Sequence, residues 1–335
     1  MRTSTTCGTA RRALLLGGIL LLAAALVLSL FAGTQDVSAG ELLRALLHPE
    51  AAAPAALVLR YARLPRALGG LLCGAGLSAS GLLLQEALSN DLASPGVIGV
   101  NAGAGFFVLL GVLAAPGNSI VRIGAAFLGA GAAAGLVLGI SKLAGSGRYT
   151  ILLTGVAVSS LFSAGINTIT TFFPEMAPDR AAFSLGGLQG ITTAQLAAAF
   201  PVILAGILAA LFLSRGLDLL RLGDEAALGA GLNVSLCRVL AIADAALLAA
   251  ASVTLCGLVG FVGLIIPNLI RRRVDGAGPQ LLFGTLYGSS FLVLCDVAAR
   301  SWFYPYELPV GLLLSFLGAP FFLLVLIRRK RRAKL

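Results

Sequence analysis

The stretch RLGDEAALGAG at 221–231 places an arginine, an adjacent Asp–Glu pair and two closing glycines between two strongly apolar runs. Asp224 and Glu225 would fall in the first turn of a short helix, where the helix dipole favours acids; Gly223 would be the N-cap and Gly229 or Gly231 would close it. Such a segment suits docking rather than catalysis. Isolated helices below about 12–15 residues rarely persist in water, so this one is expected to take its stability from a surface outside it. The rest of the chain offers little soluble mass for that, and a separate cytoplasmic protein is the expected surface. An ordinary interfacial loop helix is the alternative.

A second group is RYARLPR at 60–66, where Arg60, Arg63 and Arg66 recur every three residues around Pro65. Proline suits the first turn of a helix, so these cations would be held at a membrane surface. They could meet an acidic partner or an anionic substrate, or simply snorkel to the interface. Asp244 lies within the apolar run LAIADAALLAA with no opposite charge at helical spacing. It reads either as a proton or cation site or as a carboxyl bonded to a neighbouring helix. Asp296 and Arg300 have the spacing of a local i,i+4 pair. Glu86 ends an apolar run and asks for no special role.

Enzymatic signatures are absent. The sequence has no GxxxxGK[ST] loop, no HExxH and no GxSxG, and its one histidine, His48, has no second metal ligand nearby. The five cysteines form no CxxC pair, and four lie in or beside apolar runs as small hydrophobes would. No catalytic residue, metal site or cofactor is expected on this chain.

The elements that must position these groups are membrane spans. Hydrophobic residues make up 58% of the 335 and charged residues 11%, against about 25% charged in a soluble domain. Runs near the roughly 20 residues needed to cross a bilayer recur at 13–32, 65–86, 93–114, 120–141, 150–172, 194–213, 235–256, 257–272, 280–299 and 309–327. The first is longer than the 7–15 residues usual for a signal-peptide core and is read as a retained span. The fold class is thus an all-α polytopic membrane protein with about ten transmembrane helices, forming a single domain over 1–335. Both termini would lie on one side, with a short N-terminus at 1–12, a polar segment at 215–234 and a basic tail at 328–335. Placing that side in the cytoplasm puts seventeen of the 24 Lys and Arg residues inside, in line with the positive-inside rule. The net charge of +10 thereby points to lipid rather than nucleic acid. Gly131, Gly135 and Gly139 recur every four positions, and Gly257, Gly260 and Gly263 every three, as expected of close helix packing. In the longest connection, Ser38 and Glu41 have capping-box spacing.

At these residues the chain resembles the transmembrane subunit of the bacterial ABC importers for iron–siderophore, haem and vitamin B12. The resemblance spans nearly the whole length and rests on ordered motifs: RLPR at 63–66, GLLLQEALSNDLASPGVIGVNAGAG at 81–105, LLTGVAVSSLFSA at 152–164, LGDEAALGAG at 222–231, GFVGLIIPNLIRR at 260–272, DVAAR at 296–300 and ELPVGLLLSFLGAPFFLLVL at 307–326.

The resemblance implies a type II ABC importer permease working as a dimer, most simply a homodimer, in the bacterial inner membrane. Two ATPase subunits, which hold the ATP and Mg, would sit beneath it and an extracytoplasmic substrate-binding protein above. Leu222, Gly223, Asp224, Glu225, Ala226, Ala227, Leu228 and Gly229 would be the coupling helix in a groove of the ATPase. Arg63, Arg66 and Arg300 would meet acidic residues of the binding protein. Gln85, Asn90, Pro95, Gly99, Asn101 and Gly103 would belong to the translocation path and its helix packing, a path lined by small and apolar residues. The cargo would be a metal chelate, iron(III)–siderophore or haem. A secondary transporter driven by protons or cations through Asp244 is the competing expectation. The sequence departs from the family pattern at Asn268, where His is usual, at Asp91, where Pro is usual, and at FSLGGLQG, 183–190.

Overall fold

A computed structural model describes residues 4–32, 40–41, 54–144, 148–303 and 306–332. The capping box expected at Ser38 and Glu41, His48, and the end of the basic tail lie outside the described residues or depend on partners there. The described chain is helical: α1 (Ser4–Phe31), α2 (Pro54–Ala87, with a π-helical turn at Leu59–Arg63), α3 (Val100–Ala114), α4 (Ser119–Leu143), α5 (Arg148–Phe172), α6 (Ala177–Leu185), α7 (Thr193–Leu220), α8 (Asp224–Gly229), α9 (Val234–Cys256), α10 (Val262–Ile270), α11 (Ala277–Ser301) and α12 (Val310–Arg332). Seven are long and apolar enough to cross a membrane; α3 and the Val310–Leu324 part of α12 are shorter apolar helices.

Polar side chains start several of these helices. The Asn118 side chain accepts from the Ile120 and Val121 amides at the head of α4, and Asn233 accepts from Leu236 at the head of α9. Thr192 and Gln195 form a reciprocal capping box that opens α7. Helix α2 is the centre of the bundle. It packs against α7, α9, α10 and α11, and 83% of its apolar window is buried, against 22% for α5. The packing is backbone-close. A Cβ on Gly81 would collide with the carbonyl of Gly263, so α2 and α10 meet where neither has a side chain.

Two sequence expectations need correction. The run at 257–272 is not one span-length helix: Gly257 and Phe261 take positive φ values of 64° and 68°, and only Val262–Ile270 is helical. Nine residues rise about 14 Å, less than half of a hydrocarbon core of about 30 Å. The Gly131, Gly135 and Gly139 stripe also packs on nothing within the described chain. The close α3–α4 contact is made by Gly103 against Gly129 instead.

Candidate functional site

One end of the bundle is built around Glu86, in the last turn of α2 and 4% exposed. Arg221, the residue after α7, donates to both of its carboxylate oxygens at 2.5 and 2.6 Å and also reaches Gln280 of α11. Arg271, the residue after α10, donates to Glu86 Oε1 at 2.7 Å and to Gln85 at 3.2 Å, and pairs with Asp91. One buried carboxylate thus holds two arginines and ties together four helices. A buried charge is tolerated only when so paired, and removing one partner costs about 3–5 kcal/mol. Sequence reading passed over Glu86, because its arginines lie 135 and 185 residues away. The only local signal was an acid at the end of a buried apolar run.

The acidic segment follows directly. Gly223, at φ +104°, turns the chain into α8, two residues after Arg221. Asp224 accepts from Arg238 of α9 at 2.9 and 3.0 Å, and the Arg238 Nε donates to the Ala87 carbonyl at the end of α2. Ala227 is fully buried, and its carbonyl accepts from the Leu232 amide at 3.0 Å. The segment therefore has a fold before anything outside the chain reaches it, contrary to expectation: its own first acid is spent on anchoring. What remains exposed is Leu222 at 71%, Leu228 at 60%, Glu225, Ala226 and Gly229.

The opposite end gathers the other arginines. Arg66 grips Asp296 at 2.9 and 3.0 Å and Glu307 at 2.8 Å, and Gln189 donates to Glu307 at 2.6 Å. The local pair expected of Asp296 and Arg300 is the looser contact, at 3.6 Å. Arg300 is 2% exposed and donates to the Ser29 carbonyl and hydroxyl at 2.7 and 2.9 Å; Arg63, at 4%, donates to the Leu30 and Phe31 carbonyls at 2.7 and 3.0 Å. The three arginines bind α1, α2 and α11 together. They also line one cavity of about 330 Å³ with Tyr61, Gln189 and Glu307, while Arg60 stays exposed.

The remaining expected residues divide. Gln85 is buried, donating to the Gly263 carbonyl at 3.1 Å. Asn90 and Pro95 belong to the non-helical 88–99 stretch, where Asn90 Oδ1 accepts from the Leu92 amide at 3.1 Å. Gly99, at φ +80°, is the N-cap of α3, and Gly103 is a packing contact. Asn101 lines a cavity of about 360 Å³ shared with Ser159, Ser163, Asn167, Arg180 and Ser184. The rest of its lining is small or apolar and includes Gly96, Ala102, Gly105, Leu109 and Ile166. The polar set of α5 and α6 was missed, although Ser159, Ser163 and Asn167 recur at helical spacing. Asp244 is 8% exposed, and neither carboxylate oxygen has a hydrogen-bond partner. Two of the unusual residues meet: Asn268 Nδ2 donates to the Asp91 carbonyl at 3.0 Å.

The model of the FecCD transport family matches residues 20–328. An Fe(3+)-citrate import system permease protein, YfmD of Bacillus subtilis, is 34% identical over 308 residues, covering 92% of each chain. The hemin transport system permease protein HmuU of Yersinia pestis is 32% identical over 277 residues, covering 81% of this chain and 83% of its own. A solved structure described as a metal-chelate type ABC transporter in an inward-facing conformation superimposes with a TM-score of 0.81 at 28% identity. It covers 95% of this chain and 99% of the other.

Proposed function

The chain belongs to the FecCD transport family, and from that premise we propose that it is the permease subunit of a metal-chelate ABC importer, carrying an iron(III) chelate or haem. The observation that carries the mechanism is the placement of α8, an exposed helix whose root is anchored at the Glu86 cluster. A partner ATPase that grips Leu222, Glu225 and Leu228 would pull on Arg221 and Arg238. Through Glu86 and Ala87 it would thereby move α2 and α10, the most buried parts of the bundle.

In this reading the α8 end is cytoplasmic, as are both termini. Ten crossings arise from α1, α2, α3, α4, α5, α7, α9, α10, α11 and α12. The short α3 and α10 are completed by the irregular segments at 88–99 and 257–261, which are tolerated at membrane depth because they are packed in protein or line a cavity. At the outer end an acidic side chain of a binding protein would enter the cavity lined by Arg63, Arg66 and Arg300, and the exposed Arg60 would add a further cation to the docking surface. A second copy of the chain completes the path.

The test is reconstitution of the chain with its ATPase and binding protein in sealed vesicles, following radioactive iron. Uptake that requires ATP and both partners is expected; accumulation driven by a pH gradient without ATP would sink the proposal. That outcome would favour the second reading, ion-coupled transport, which rests on the buried, unpartnered carboxylate of Asp244.

A further inference from the structure

The cavity between α3, α5 and α6 has a composition that a membrane interior does not need for packing. Its polar lining is Asn101, Ser159, Ser163, Asn167, Arg180 and Ser184, set against an apolar wall that includes Phe183 and Leu258. It opens between α5 and α6, where Ser163, Asn167, Arg180 and Ser184 are exposed.

Two of the lining atoms are short of partners. Asn101 Oδ1 and Ser159 Oγ are buried and make no hydrogen bond. A buried polar atom left in that state keeps its desolvation penalty uncompensated, and a ligand or water placed there would recover it. Arg180 donates to Thr170 at 3.1 Å, which lays it along α5, and no carboxylate among the described residues forms an ion pair with it. Ser160, Thr168 and Thr171 differ from the cavity residues: each donates to a carbonyl of its own helix at 2.8–3.0 Å and needs nothing further.

From this lining we infer that the cavity is a recognition site for an anionic, oxygen-rich chelate of the hydroxycarboxylate class. A carboxylate oxygen would accept from the Arg180 guanidinium, a charge-assisted contact, and from the Asn167 amide. A water on the iron would donate to Asn101 Oδ1, and Ser159 would complete the set. A neutral chelate gives Arg180 nothing to pair with. At about 360 Å³ the cavity stands near the lower end of the roughly 300–1,000 Å³ range of small-molecule sites, so it holds a compact oxygen-rich ligand or arm better than a macrocycle. This rests on the permease reading, since it makes the site a station on the path, but it concerns selectivity rather than the energy source.

The test is equilibrium binding to the purified permease–ATPase complex in nanodiscs, with radioactive ferric citrate, a neutral ferric trihydroxamate and haem as probes. Wild type is expected to retain ferric citrate in preference to the other two. Arg180→Gln should weaken it by about tenfold or more, the loss of one charge-assisted hydrogen bond. Arg180→Lys should restore part of it, and Asn101→Leu should weaken it without touching charge. Co-purification of the ATPase reports that each variant is folded.

Absence of ferric citrate binding, unchanged binding in Arg180→Gln, or a parallel loss of the neutral chelate would overturn the inference. Those results leave ATP-driven uptake intact if the permease reading holds. Loss of ATP dependence in the wild type would sink that reading instead.

Discussion

Glu86 and Arg221, 135 residues apart in the chain, meet in a two-point ion pair with contacts of 2.5 and 2.6 Å. Arg221 keeps its charge there, since the Glu86 hydrogen bond holds its pKa above the usual arginine value despite partial burial. The pair joins the core helix α2 to the residue from which α8 departs. Replacing Glu86 with Ala leaves two arginines around an empty site, and a loss of about 3–5 kcal/mol is expected, read as a lower thermal midpoint in detergent. Glu86→Gln should keep more of the fold while loosening the link, so that ATP hydrolysis continues with little uptake. Tight coupling of hydrolysis to uptake in Glu86→Gln would remove the cluster from the mechanism.

The two acids of α8 should behave oppositely. Asp224 is bonded to Arg238, so Asp224→Asn is expected to lower stability by about 1 kcal/mol, the order of a half-exposed pair. Glu225 is exposed, and Glu225→Arg should leave stability and membrane insertion unchanged while the ATPase no longer co-purifies. Normal recovery of the complex from Glu225→Arg would reject the coupling role.

At the other end, burial separates structure from docking. Arg300→Glu and Arg63→Glu place an acid among carbonyl groups that now accept from arginine, and both should be poorly folded. Arg60→Glu changes an exposed charge; it should weaken binding-protein affinity several-fold, about 1 kcal/mol, at constant thermal midpoint. Unaltered affinity would move the docking surface elsewhere.

Glycine substitutions test the packing. Gly81→Ala forces α2 away from the Gly263 backbone, and loss of folded protein is expected. Gly135→Ala meets open space within its own chain and should be silent in the separated subunit. If it disrupts only the dimer, seen as a shift in oligomer mass, that stripe packs on the second copy.

Asp244 gives a fourth contrast. Its oxygens have no partner, so Asp244→Asn keeps the shape and removes the cost of a buried charge. Stability equal to or above wild type is expected, with ATP-driven uptake retained. Abolished uptake in a stable Asp244→Asn protein would instead favour coupling to protons or cations.

The sequence alone was enough for the all-helical membrane class, the family and the position of the short acidic helix, because these depend on run length, composition and local order. Hydrophobic length marks a span wherever it folds, and a Gly–Asp–Glu start marks a helix end from its immediate neighbours. It misjudged 257–272, since apolar length says nothing of two positive-φ residues that break the helix. Tertiary structure alone decided that Arg63 and Arg300 are buried ties, that Asp224 is anchored to Arg238, and that Asp91 and Asn268 touch. It also brought Asn101 of α3, Ser159 and Asn167 of α5 and Arg180 of α6 around one cavity. Those outcomes depend on which helix ends become neighbours, and pairing between different elements, across separations from 14 to 271 residues, leaves no periodic trace in the chain.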